Sequence, residues 1–188
     1  MRLMSMLCCV VGVSIVGACS SEESKPAPAV EQAATVPEHF FTADRPADVP
    51  DLKAVRDGAA KGDQVTLLAR VGGRVRPFTK GQASFVVTDP ALLSCELKCE
   101  DGCKLPWDYC CEPSERLKLN VATIRLLEND MPIRTSAKGA GGLEELKYVV
   151  VTGTVFDIND DGLFVVDADT IWVGGKPQPD NPRLGSGG

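Results

Sequence analysis

The stretch "YVVVTGTVFDINDDGLFVVDADTIWV", residues 148–173, decides the fold. Its two halves, 148–158 and 163–173, are dense in β-branched and aromatic residues, which favour a pleated, half-buried backbone. Between them sits Asn159-Asp160-Asp161-Gly162, where glycine reaches positive φ and Asn and Asp tolerate the tight backbone of a reversal. Two long strands joined by a short turn make an antiparallel hairpin. Working upstream, "QVTLLARV" (64–71) alternates with Val65, Leu67, Ala69 and Val71 on one face. "ASFVVTD" (83–89) places Phe85 and Val87 together, and "LKLNVAT" (117–123) sets Leu117, Leu119 and Val121 in register. A short helix is expected in "PDLKAVRDG" (50–58), opened by Pro50 and stopped by Gly58, and a turn and a half of helix in "GGLEELK" (141–147).

Three strands, a helix and a closing two-strand hairpin resemble the OB-fold, a five-stranded Greek-key barrel with a helix between its third and fourth strands. The fold class expected from this resemblance is all-β with minor α, over residues 51–173. Gly72-Gly73 at the end of the first strand fits the sharp bends of a small barrel. An open antiparallel sandwich of the same strands is the other arrangement the pattern allows.

Outside that domain the composition changes. Residues 1–18 begin with one basic residue, Arg2, and continue as an apolar run ending in small residues, the layout of a signal peptide. The run is too short for the roughly 20 residues that a membrane span needs. Val16-Gly17-Ala18-Cys19 resembles the lipobox of bacterial lipoproteins. That resemblance implies lipidation of Cys19, cleavage before it and anchoring by several acyl chains. Ser20, where such proteins retained at the inner membrane carry Asp, implies an outer-membrane address facing the periplasm. Residues 19–50 are rich in proline and poor in large apolar groups, so they are expected to be a disordered tether. Residues 174–188, rich in Gly and Pro, are expected to be a disordered tail.

Between the second and third strands lies "CELKCEDGCKLPWDYCCE" (95–112), which holds five of the eight cysteines. Cys8 and Cys9 leave with the signal, and Cys19 takes the lipid. In an exported protein these five are expected in an oxidising compartment, where disulfides persist. Adjacent Cys110 and Cys111 are ill-placed to bridge each other, because a disulfide spans Cα atoms about 5.5 Å apart and neighbours across a trans peptide stand about 3.8 Å apart. Thiolates also bind zinc or copper(I), so Zn or Cu at this cluster is the alternative. The redox-active C-x-x-C spacing is absent.

Residues 58–75 and 83–113 also resemble a group of uncharacterised exported bacterial proteins that carry a "PWDYCCEP" box, here Pro106 to Pro113. The box brings no activity with it. It lacks a counterpart of Cys99, which implies that Cys99 is the spare thiol and that Cys110 and Cys111 each pair with one of Cys95 and Cys103. Such staples would tie a connection of more than 20 residues into a compact knob.

The net charge of −6 argues against a nucleic-acid partner, which calls for a basic groove with stacking platforms. A local basic group, Arg70, Arg74, Arg76 and Lys80 with Phe78, is the candidate contact for an anionic ligand. Asp157, Asn159, Asp161 and Gly162 match the first half of a calcium loop, but position twelve is Ala168 rather than glutamate, so a plain hairpin turn is favoured. The one histidine, His39, lies in the tether, and Ser-His or Cys-His catalysis has no evident base. The expectation is therefore a non-enzymatic, membrane-anchored binding module that engages a small ligand or an envelope protein, with no cofactor unless the cysteines hold metal.

Overall fold

The computed structural model describes residues 34–98 and 103–174, together with the backbone of 177–178 and 181–185. In chain order the elements are β1 (Phe41–Thr42), α1 (Leu52–Gly58), β2 (Gln64–Val71), β3 (Ser84–Thr88), α2 (Cys95–Lys98), α3 (Ser114–Lys118), β4 (Val121–Arg125), β5 (Leu127–Glu128), β6 (Met131–Pro132), β7 (Tyr148–Ile158) and β8 (Phe164–Val173). Two further short strands, β9 (Pro177–Gln178) and β10 (Asn181–Gly185), pair with each other. The segment expected to be a disordered tail thus contains a two-stranded ribbon.

Strand pairing runs β2–β3–β4–β8–β7 and back to β2, all antiparallel except the parallel rung between β4 and β8. This closed five-stranded barrel has the connectivity expected of an OB-like all-β fold, and closure leaves no barrel strand with an unpaired edge. Alternation then explains the core. Leu67, Ala69 and Val71 of β2, Phe85 and Val87 of β3, and Val149, Val151 and Val155 of β7 all point inward and are buried.

The long hairpin bends through two irregularities, between Thr152 and Gly153 and between Val155 and Asp157. The first leaves Asp169 and Thr170 exposed in succession, so the buried set on β8 steps from Ala168 to Ile171. Gly153 sits at this bend, where the strands approach so closely that a Cβ would fall inside contact of the Asp167 carbonyl oxygen.

Three expectations need correction. The third barrel strand is not 117–123. Residues 114–118 form α3, and β4 starts at Val121 with Ala122 and Ile124 as its inward residues. Pro113 before the first turn, Glu115 in it and Arg116 and Lys118 in the last turn suit a helix end to end, and this outweighs the chance alternation of Leu117, Leu119 and Val121. Residues 141–147 do not form the expected helix either. A single 3-10 turn, Ala140–Gly142, is followed by a turn at 145–146 rather than by helix, and Gly139, Gly141, Gly142 and Leu146 all take positive φ, which a right-handed helix does not accept. The helix that packs on the barrel is α1, from the other end of the domain. Its Leu52 is fully buried in the core, and Asp89 accepts hydrogen bonds from Lys53 N (2.7 Å) and Ala91 N (2.8 Å), tying the helix start to the end of β3.

The third correction concerns the tether. The packed unit begins well before residue 51. Phe40 is buried in the barrel core, Phe41 packs against it, and β1 pairs in parallel with Ile171 and Trp172 of β8. His39 is exposed, its ring 4.4 Å from that of Phe40. Residues 1–33, with Cys19, lie outside the described residues, as does Cys99. Among the described residues no helix is long and apolar enough to cross a membrane.

Candidate functional site

Residues 89–98 and 103–120 form a knob on the outside of the barrel, entered from β3 and left into β4. Its attachment is polar and buried. Arg70 points outward from β2 yet is only 1% exposed, because the knob covers it. Its guanidinium donates to Ser94 Oγ (2.8 Å), Glu96 Oε2 (2.5 Å) and the Leu146 carbonyl (3.3 Å). Arg70 is therefore an anchor for the knob and not the ligand contact that its place in a basic run suggested. Gly72 and Gly73 lie under the knob as well. Gly73 N donates to Trp107 O (3.1 Å), and a Cβ on Gly72 would stand 2.6 Å from that same oxygen. These glycines thus admit the knob's backbone, beyond marking a barrel bend.

Tyr109 is buried beneath the knob, close to Thr88 and Arg70, and neither its hydroxyl nor that of Thr88 reaches hydrogen-bonding geometry. Burial pushes the Tyr109 pKa up to about 12, against the pull of the Arg70 cation.

The knob gathers three thiols. Cys95 opens α2, with Cys95 N bonded to Asp108 O (2.8 Å) and Glu96 N to Pro106 O (2.9 Å), so the two limbs of the knob run together. This brings Cys95 Sγ to 3.1 Å from Cys110 Sγ, and Cys110 Sγ lies 4.0 Å from Cys111 Sγ. All three sulfurs lie within 4.8 Å of one another, Cys95 buried and the other two exposed. Cys103 is half-buried and is not one of the three, while Cys95 and Cys110 are one of the pairs that the sequence allowed. The proton contacts of Cys110, with Cys95 first and Cys111 second, push its pKa up to about 12. Neighbouring thiolates oppose one another, and a soft cation among them would remove that opposition.

A second feature adjoins the knob. The loop between β2 and β3 and residues 136–145 enclose a groove of about 300 Å³ with Trp107 of the knob. Phe78 and Trp107 supply aromatic walls, and Trp107 Nε1 is fixed on Val75 O (3.2 Å). Arg76, Lys80 and Lys138 line the same groove. Lys138 is paired with Glu145 (2.7 Å), whereas Arg76 and Lys80 have no ion-pair partner among the described residues. Arg74 is exposed but does not line the groove. The sequence singled out Arg76, Lys80 and Phe78; Trp107 and Lys138 come from distant segments, and no local signal marks them as walls of one site.

A larger hollow of about 460 Å³ lies between α1 and the β7–β8 turn, but its cations are already engaged. Lys53 pairs with Asp57, and Arg56 donates to Asn159 O (2.7 Å) and, more weakly, Gly162 O (3.4 Å). In the calcium-like turn, Asn159 Oδ1 accepts from Leu163 N and Asp157 Oδ1 from Ile158 N, so these oxygens build the hairpin. The cysteine trio is the one cluster of potential metal ligands among the described residues. Compared with protein-family models, with curated proteins and with solved structures, the chain matches none.

Proposed function

We propose that this chain is an exported, lipid-anchored binding module whose OB-like barrel takes an anionic ligand bearing a flat apolar part. The observation that carries the reading is the groove in which Arg76 and Lys80, without an ion-pair partner among the described residues, stand beside Phe78 and Trp107. Two cations supply charge-assisted hydrogen bonds to an anion, and the rings offer faces for an apolar group. The overall negative charge disfavours long polyanions, so a small ligand or a short acidic segment of an envelope protein suits the groove better than a nucleic acid. No catalytic step is part of this reading. Placement at the outer membrane rests on the lipobox around Cys19.

The test uses Trp107 fluorescence in a Trp172→Phe background, with phenyl phosphate as probe and inorganic phosphate as the ring-free comparison. Saturable quenching by phenyl phosphate is expected, weaker binding of inorganic phosphate, and loss of both in Arg76→Ala/Lys80→Ala. An unchanged titration in the double variant would refute the groove.

A further inference from the structure

We propose that Cys95 and Cys110, to the exclusion of Cys103, are a redox pair whose disulfide staples the two limbs of the knob together over Arg70. The staple depends on neither the groove nor the lipid anchor. Three observations lead to it. First, the two sulfurs already meet. Cys95 Sγ and Cys110 Sγ are 3.1 Å apart, about 1 Å beyond the length of an S–S bond. Two sulfurs bound to one metal at about 2.3 Å stand roughly 4 Å from each other, so this pair is too close for a shared ion. Cys111 is the chain neighbour of Cys110, and its sulfur is farther away, at 4.0 Å.

Second, the meeting is arranged by groups other than sulfur, on both sides of Cys110. Ahead of it, Pro106 O accepts from Glu96 N (2.9 Å) and Asp108 O from Cys95 N (2.8 Å). Behind it, Lys98 Nζ donates to Cys111 O (3.2 Å) and Glu112 Oε1 (2.8 Å). These bonds hold the limbs in register and set Cys110 opposite Cys95. Closing the S–S bond then needs side-chain rotation and no refolding of the knob.

Third, the place gives the bond something to hold. Cys95 stands between Ser94 and Glu96, whose side chains accept from the Arg70 guanidinium at 2.8 and 2.5 Å. A bond from Cys95 to Cys110 ties this sealing segment to the opposite limb, so the knob cannot part between its limbs and uncover the buried cation.

Formation takes two exchanges with a small disulfide, RSSR, of which oxidised glutathione is the example. The thiolate of exposed Cys110 attacks one sulfur of RSSR; a Cys110–SR bond forms and RS⁻ leaves. The thiolate of Cys95 then attacks the Cys110 sulfur, the Cys95–Cys110 bond forms and the second RS⁻ leaves. The two thiol protons end on the two RSH released; the cysteine pair is oxidised and RSSR is reduced. In the finished bond the Cys95 sulfur belongs to a buried residue, which leaves the Cys110 sulfur as the one open to an external thiol.

The experiment reduces the full-length protein and equilibrates it, folded, in glutathione buffers of rising oxidised content. Remaining thiols are alkylated, and the linked peptides of the unreduced digest are mapped by mass spectrometry. The Cys95–Cys110 link is expected to dominate, in the wild type and equally in Cys103→Ser. Cys95 or Cys110 linked to any other cysteine would overturn the proposal, as would alkylation of both at full oxidation. Amide exchange at Cys95 and Glu96 then reads the seal. A bridge closing a loop of about 15 residues shifts an opening equilibrium by on the order of 100-fold. Exchange at these two amides should therefore quicken by up to about that factor on reduction and in Cys110→Ser, an exposed position whose variant is checked for folding by far-UV circular dichroism. Equal exchange in oxidised wild type and Cys110→Ser would show that the bond holds nothing closed, which would overturn its role over Arg70.

Discussion

Arg70 on a barrel strand and Glu96 on the first helix of the knob meet at 2.5 Å, with the arginine side chain 1% exposed and the glutamate 35%. The two ends of this pair stand in different surroundings, and their removal should cost different amounts. Glu96→Ala leaves a buried guanidinium with only neutral acceptors, so a loss of about 3–5 kcal/mol is expected. Arg70→Met frees a carboxylate that can turn to water and puts an apolar chain in the buried slot, so its loss should be smaller, about 1–3 kcal/mol, most of it from the unpaired Ser94 and Leu146 acceptors. Urea unfolding of both variants checks the order; the reverse order would mean that the guanidinium is not sealed by the knob.

Tyr109 gives the attachment a pH dependence. Its folded pKa is raised, to about 12 from 10, so the folded state holds the phenol proton longer than the unfolded chain does. The resulting stability is fully present below pH 10 and is lost as pH rises through about 12. Its size is on the order of 2–3 kcal/mol. Lysines titrate in the same range, so the quantity to measure is the difference between wild type and Tyr109→Phe. That difference should be nearly flat below pH 9 and shift in favour of the phenylalanine variant as the solution becomes more alkaline. A flat difference up to pH 12 would refute burial of this hydroxyl.

Gly153 is required by distance rather than by backbone angle. A methyl group there would press on the Asp167 carbonyl, and Asp167 also carries the bidentate pair with Arg125 (2.6 and 2.8 Å). Gly153→Ala is expected to cost about 1–3 kcal/mol, the usual range for overpacking a tight site, even though alanine favours most backbones over glycine. Thermal unfolding measures it; a rise in Tm would show that the hairpin can open without penalty.

Cys19→Ala should give an unprocessed precursor or a protein lost from the membrane fraction, since acyl chains supply the membrane affinity. Fractionation and intact mass read this directly. Cleavage at the same bond with retention in the membrane would rule out lipidation at that residue.

Much of the barrel was legible because strand alternation is a local pattern. β2, β3 and both arms of the β7–β8 hairpin lie where the strand-like runs put them, with Val65, Leu67, Phe85 and Val87 turned inward as expected. What escaped the sequence depends on contacts between distant segments. Phe40 looks like part of a tether until the barrel offers it a place in the core, and Arg70 looks like a surface cation until a knob that starts some twenty residues later closes over it. The helix expected over 141–147 failed on a conflict between Leu-Glu-Glu-Leu, which favours helix, and the glycines before it, which prevent a start. The cysteine run announced a special loop, but which sulfurs converge is set by backbone bonds across the knob, and spacing along the chain does not encode them.

The knob begins and ends on one rung: Asp89 N donates to Asn120 O at 2.8 Å, at the point where β3 gives way to the excursion and the chain returns for β4. Everything between hangs from a closed mouth. Doubling the length of a flexible excursion from such a mouth costs only about 0.6 kcal/mol in closure entropy. The barrel is in this sense a socket. Its five strands can stay as they are while the inserted piece is lengthened, shortened or exchanged, provided that a replacement keeps an acceptor over Arg70 and a small enough backbone above Gly72 and Gly73.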